Sequence, residues 1–202
     1  MADKTALIKE AQKYLAKGQL DKAVAEWEKI VREYPDGNNY NVIGDLYLKK
    51  GDKKNAIESY HKAANFFRNE GFSLKAIALF KKVLNINPNN ADALHALGEL
   101  SEEKELVTDA TKYYLAAADS IAKEGRKDVL LTVYEKILSL SPSNIPLRTK
   151  VAEIFTKEGL ISDAAKEYLY IAEIYEDKGD IQKAKDFYQK AIELGLNVWA
   201  RF

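Results

Sequence analysis

An internal repeat constrains the fold of this chain more than any other feature of its sequence. The same pattern of small, aromatic and aliphatic residues begins at Ala56, at Ala110 and at Ala164, which gives a constant 54-residue period. A fixed period of this length is typical of stacked helical repeats, in which each unit packs on its neighbours, rather than of one globular core. The period therefore predicts how the chain is built, but it does not identify a partner.

Helix ends can be predicted from glycine positions along the chain. Gly18 and Gly51 follow amphipathic stretches, and glycine closes a helix without strain because it accepts a left-handed backbone conformation. Glu105 occupies the slot that is glycine in the related turns, so that turn is predicted to be tighter or less regular. Within the first part of the chain the helical spacing of apolar residues predicts helices over 5–17, 20–34 and 38–50.

Two step lengths alternate along the repeat. A 34-residue step leads from Ala76 to Ala110, whereas only a 20-residue step leads from Ala56 to Ala76. A 20-residue step has room for one helix and a turn, so a single helix must end one unit and begin the next. Such a helix needs apolar residues on more than one face. The helices predicted to be double-sided in this way cover residues 52–70, 106–124 and 160–178.

The slots themselves resemble those of a known repeat family. The pattern that is similar to a tetratricopeptide repeat (TPR) is Leu7-x3-Ala11-x2-Tyr14-x3-Gly18-x4-Ala23-x3-Trp27-x2-Ile30-x4-Pro35. Small residues recur at its close-contact slots along the chain, where they let two helices approach to about 8 Å. The 20-residue steps resemble in addition the SNAP family of vesicle-fusion adaptors.

This resemblance implies an all-α fold, a right-handed alpha-alpha superhelix (TPR-like solenoid) of about eleven antiparallel helices. The predicted organisation is one solenoid over residues 1–202. Its parts are a first hairpin at 5–37, three-helix units at 38–91, 92–145 and 146–199, and the start of a truncated unit or a cap at 198–202.

Composition excludes several classes of function. Lys plus Arg and Asp plus Glu both number 31, so no net charge favours nucleic acid or an anionic membrane. Without cysteine the chain has no disulfide or thiolate chemistry. Because no apolar run approaches roughly 18 residues, we predict no membrane span, and because no apolar leader follows Met1 we predict a cytoplasmic protein.

No motif for catalysis or for a cofactor is present, so the prediction is a protein that is not an enzyme and binds no cofactor. The two histidines, His61 and His95, lie at equivalent slots one 34-residue step apart. Together with Glu99 they could form a metal site, but solvated histidines on helix faces are the favoured interpretation, with partner contact as a third.

The first helices of tetratricopeptide repeats line a concave surface, and the residue after each small slot points into it. In this series five of seven residues are acidic, which predicts a groove for a basic or amphipathic partner segment. The alternative is a solvated face, since Asp45, Asp119 and Glu153 each precede a lysine by one helical turn and could form pairs within a helix. The predicted partner-binding residues are Asn41, Asp45, His61, Asn65, His95, Glu99, Asp119, Glu153 and Glu173.

These observations predict a non-catalytic protein-protein interaction scaffold that binds a protein or peptide on its concave face. Two alternatives stay open. The chain could be a helper domain of a larger enzyme or of a secretion or motility complex. It could also be a self-associating structural element, with a homodimer formed through the apolar C-terminal end at Trp199 and Phe202.

Overall fold

The computed structural model describes residues 3–195, and within this range the chain forms eleven α-helices and no β-strand. The predicted all-α fold of about eleven helices is therefore confirmed for this range. The residues at 198–202, with Trp199 and Phe202, lie outside the described range. The helices are α1 (Lys4–Ala16), α2 (Leu20–Glu33), α3 (Gly37–Lys50), α4 (Lys53–Asn69), α5 (Ser73–Ile86), α6 (Ala91–Glu102), α7 (Val107–Lys123), α8 (Lys127–Leu140), α9 (Ile145–Lys157), α10 (Ile161–Asp177) and α11 (Ile181–Glu193).

The helices that the 20-residue steps require are unbroken. Each of α4, α7 and α10 is a single helix of 17 residues, whereas the others have 12 to 14. Helix α4 packs on α3 with one flank and on α5 with another, and α10 does the same between α9 and α11. The prediction of double-sided helices is confirmed for these two.

The chain forms two compact units that meet in sequence between Ser120 and Ile121. In the N-terminal unit each helix from α1 to α5 packs on the next one along the chain, so the series ends with α5 against α6. In the C-terminal unit α8 packs on α9, α9 on α10, and α10 on α11. The finer division into a 5–37 hairpin and three-helix units stays a prediction. No helix among residues 3–195 is long and apolar enough to cross a membrane.

Small residues at the predicted slots let large aromatic rings into the core. A Cβ atom on Gly44 would lie 2.7 Å from the ring of Tyr60, and one on Gly98 would lie 2.6 Å from the ring of Tyr114. Both rings are buried, as is Phe80. These three rings therefore serve core packing, whereas Tyr175 and Tyr188 near the end of the described range are half-buried.

The turn at Glu105 begins more tightly than its relatives, as predicted. Helix α6 ends at Glu102, and the N–H of Lys104 donates three residues back to Ser101 O at 3.2 Å, whereas the N–H of Glu70 in the related turn donates four residues back to Phe66 O at 3.1 Å. Glu105 itself adopts the left-handed conformation, with φ of 58° against 84° for Gly51. Its N–H donates to Glu102 O at 2.8 Å, and the N–H of Leu106 donates to Ser101 O at 2.9 Å. The same two bonds close the turn at Gly51. The helix cap therefore keeps its geometry and places a non-glycine residue in a conformation that strains it.

Candidate partner-binding face

Two of the predicted residues on α3 are occupied within the N-terminal unit. Lys82 of α5 donates to Asn41 Oδ1 at 2.9 Å and to Asp45 Oδ1 at 2.6 Å. The Tyr60 hydroxyl of α4 donates to Asp45 at 2.6 Å, and the Lys82 ammonium lies 4.8 Å from the centre of the Tyr60 ring. Burial and the hydrogen bond to Asp45 raise the pKa of Tyr60. Asp45 therefore presents a neutralised carboxylate.

Glu99 of α6 is also paired. Arg68 of α4 donates from one guanidinium nitrogen to Glu99 at 2.6 Å and from the other to Glu103 at 2.7 Å. This fork ties the C-terminal end of α4 to that of α6. The alternative of pairs within a helix is wrong for Asp45, whose ion-pair partner is Lys82 rather than Lys49.

The two histidines are half-buried. His61 on α4 shares a hydrogen bond of 3.1 Å with Asn90, and its ring meets that of Phe80 edge-on at 5.6 Å. The ring of His95 on α6 lies 5.5 Å from that of Tyr114. Both rings also keep part of their surface exposed, so solvation and partner contact remain the predictions for them. Within residues 3–195 no three His, Cys, Asp or Glu side chains are arranged to hold a metal ion.

The remaining predicted residues fall into two groups. Asn65 on α4, Asp119 on α7 and Glu153 on α9 are exposed, and their side chains have no hydrogen bond or ion pair among the described residues. Glu173 on α10 is half-buried and engaged. Burial and the hydrogen bond to Glu176 raise the pKa of Tyr188 to about 12, with a smaller contribution from Glu173. Three of the nine predicted residues thus offer free polar groups.

A groove in the C-terminal unit was not predicted from the sequence. It crosses α10 between α9 and α11 and has a volume of about 600 Å³. We call it the C-terminal groove. Of the predicted residues it includes Glu153 alone. Its lining residues are Ser143, Asn144, Ile145, Pro146, Thr149, Lys150, Glu153, Tyr175, Lys178 and Phe187.

One signal in the sequence could have found the lysine that neutralises Asp45. Lysine recurs at Lys82, Lys136 and Lys190, one 54-residue period apart. A lysine that recurs with the same period as the acidic residues predicts ion pairs between neighbouring helices. The aromatic floor of the C-terminal groove gave a weaker signal, because Tyr175 and Phe187 occupy slots that are core elsewhere.

Comparison with known proteins bears on the class of protein that these helices form. Residues 4–37, 38–70 and 165–194 match models of the tetratricopeptide repeat. Over these residues the chain carries tetratricopeptide repeats, which generally serve as protein-interaction scaffolds.

Individual relatives agree with this class. A TPR repeat-containing protein of Methanocaldococcus jannaschii is 24% identical over 207 residues, which is 95% of this chain and 32% of that protein. A vesicular-fusion protein sec17 homologue of Neurospora crassa is 30% identical over 112 residues, or 55% of this chain and 38% of that one. The chain spans about a third of the length of these two curated relatives.

Among solved structures, nearly identical TPR-like repeats from Podosopora anserina are similar to this chain. The identity is 16% and the TM-score 0.47, with 94% of this chain and 93% of that one covered.

Proposed function

We propose that this protein is a non-catalytic scaffold that binds an amphipathic segment of a protein partner. The observation that carries the proposal is the tetratricopeptide repeat at residues 4–70 and 165–194, since that repeat generally serves protein interaction. Binding falls on the helix faces that carry the nine predicted residues. Catalysis, nucleic acid and a bound cofactor have no part in it.

The distribution of paired and free charges favours an amphipathic partner over a purely basic one. Asp45 and Glu99 are neutralised by Lys82 and Arg68, so they attract a basic segment weakly. Asp119 and Glu153 keep unpaired carboxylates at the surface of their own units. A partner would therefore contact single carboxylates beside electrically neutral surface. Such a surface favours an amphipathic segment, which has both charged and apolar side chains.

The experiment selects binding peptides from a displayed random library on the purified chain, and then measures their affinity by fluorescence anisotropy. Two variants, Asp119→Lys and Glu153→Lys, each reverse the charge of a carboxylate that has no ion pair or hydrogen bond among the described residues. Glu33→Lys, which reverses an exposed charge at the end of α2, is the matched control. We expect the two variants to weaken binding several-fold and the control to leave it unchanged.

Failure to select any peptide, or equal affinity for all three variants, would contradict binding on these faces. The alternatives of a helper domain and of a self-associating element stay predictions.

A further inference from the structure

A lysine bridge of the N-terminal unit has no counterpart among the described residues at the C-terminal groove. In the N-terminal unit Lys82 reaches from α5 across α4 and bonds to Asn41 and Asp45 on α3. The lysine bridge thus neutralises the carboxylate of Asp45.

Two periods later the same slots hold Lys190, Thr149 and Glu153. The Lys190 ammonium lies 4.7 Å from the centre of the Phe187 ring, and no described carboxylate is within ion-pair distance of it. Thr149 donates its hydroxyl to Ile145 O in its own helix at 3.0 Å. Among the described residues no lysine bridge crosses from α11 to α9, so Glu153 stays unpaired at the edge of the groove, whose volume is about 600 Å³.

The floor of the groove is an accessible pair of aromatic rings. Tyr175 of α10 and Phe187 of α11 stack with ring centres 5.6 Å apart and planes at 18°. Both are half-buried, whereas the residues at their slots in the N-terminal unit, Phe67 and Leu79, are 6% and 5% exposed. Aromatic faces that stay accessible offer large contact area to an apolar side chain.

The charges at the rim indicate the chemistry of a ligand. Lys150 and Lys178 line the groove, and neither has an ion-pair partner among residues 3–195. Glu153 is the one carboxylate in the lining. Positive charge therefore exceeds negative charge around an apolar floor, which favours carboxylates beside an apolar anchor.

We propose that the C-terminal groove binds a partner segment in which an aromatic side chain is flanked by acidic residues. The aromatic side chain packs on Tyr175 and Phe187, and the carboxylates pair with Lys150 and Lys178. Glu153 accepts a hydrogen bond from an N–H of the segment, and its carboxylate repels further acidic residues of the segment that come close to it. This assignment rests on the proposed scaffold function and names the partner chemistry for one part of the face.

The test uses fluorescein-labelled model peptides and the full chain. One peptide has a central tryptophan flanked by aspartate and glutamate, a second replaces the tryptophan with alanine, and a third replaces the acids with lysine. Fluorescence anisotropy gives the affinity of each, and methyl NMR of Ile145, which lines the groove, reports whether binding occurs there. We expect the acidic aromatic peptide to bind tightest and to shift the Ile145 methyl signals.

The variant Lys150→Glu/Lys178→Glu removes both cations, and Lys185→Glu is the control because it reverses an exposed lysine of α11 outside the lining. We expect the double variant to weaken the acidic aromatic peptide by roughly tenfold or more, and the control to change it by less than about twofold. Circular dichroism checks that each variant is folded. Higher salt should weaken binding to the native groove but change little in the double variant.

Several results would overturn the proposal. They are equal binding by the native chain and the double variant, preference for the lysine peptide, and binding that leaves Ile145 unshifted. Absence of binding at millimolar peptide would do so as well. A dimer of the free protein that the double variant dissociates would assign the groove to a second copy of this chain. Peptides selected in the library experiment that depend on Asp119 would preserve the scaffold function even then.

Discussion

Gly98 shows how tightly single residues define the packing of these helices. Its Cα faces the Tyr114 ring, which is fully buried, and a Cβ atom there would lie 2.6 Å from two ring carbons. The ring is also fixed at its other end, where its hydroxyl donates to Glu102 at 2.6 Å. The ring therefore has no room to withdraw.

We expect Gly98→Ala to lower the free energy of unfolding by about 1–3 kcal/mol, because overpacking outweighs the better helix propensity of alanine. Urea unfolding followed by circular dichroism measures the change. The control repeats the substitution on a Tyr114→Ala background, where the added methyl group meets no ring and should be neutral or stabilising. Equal losses in both backgrounds would contradict the contact.

Glu105 is a site where the native residue is not the most stable choice. With φ of 58° it holds the left-handed conformation that glycine accepts without cost. We expect Glu105→Gly to raise the free energy of unfolding by about 1 kcal/mol, because it removes that strain. Lys104→Gly, one residue earlier in the same turn and without positive φ, is the matched control and should not stabilise. Thermal unfolding of both variants would decide, and a stabilised control with an unchanged Glu105→Gly would refute the argument.

At the scale of elements, a buried ion pair ties α9 to α10 in the C-terminal unit. Arg148 is 6% exposed. It donates one hydrogen bond to the Glu167 carboxylate and another to Pro142 O at 2.6 Å. Its guanidinium carbon lies 4.3 Å from the centre of the Tyr170 ring. Burial raises the pKa of Glu167 above its ordinary value, and Arg148 opposes that rise without cancelling it.

A raised carboxyl pKa means that the folded state holds the proton more strongly than the unfolded state does. The contribution of Glu167 to stability is therefore fully present below its ordinary pKa of 4.5 and is lost as pH rises through the higher folded value. We expect the native chain to lose stability relative to Glu167→Gln as pH increases from about 4 upwards. Chemical unfolding across this range measures the difference.

Glu193→Gln, which removes an exposed carboxylate of α11, controls for the loss of one charge. A native chain that gains stability relative to Glu167→Gln with rising pH would contradict the expectation. It would show that the attraction of Arg148 exceeds the cost of burying the carboxylate.

The elements of this fold could be predicted from the sequence, because they depend on spacing along one chain. The 20-residue step left no room for a second helix, so α4 and α10 had to be unbroken and double-sided. The close-contact slots followed in the same way, since only small residues at Gly44 and Gly98 leave room for a tyrosine ring.

The charge partners were not predicted, because they depend on which helices face each other, and the recurrence of lysine at 82, 136 and 190 was the one hint of them in the sequence. Lys82 is 37 residues from Asp45, and Arg68 is 31 residues from Glu99. Lys49, one helical turn after Asp45, was the nearer candidate in sequence, yet Asp45 pairs with Lys82 of α5. The C-terminal groove escaped prediction for the same reason, because Lys190 lies 4.7 Å from the centre of the Phe187 ring instead of pairing with Glu153 as Lys82 pairs with Asp45.

For the whole molecule, electrostatic repulsion between copies should vanish near neutral pH. The formal net charge is zero at pH 7 and the sequence pI is about 6.8. Proteins without net charge associate and precipitate more readily, since no long-range repulsion keeps copies apart. Exposed apolar residues such as Phe72, at 52%, and Leu74, at 74%, would add short-range attraction.

We therefore expect weak, concentration-dependent association at pH 6.8 that falls at pH 8.5, where the chain is anionic. Sedimentation velocity over a range of concentrations measures it at both pH values. Trp199→Glu with Phe202→Glu tests the self-associating alternative, and Lys157→Glu, an exposed lysine of α9, controls for the charge change. A discrete dimer at both pH values that only the Trp199 and Phe202 variant dissociates would contradict association through net charge and establish the C-terminal end as a dimer interface.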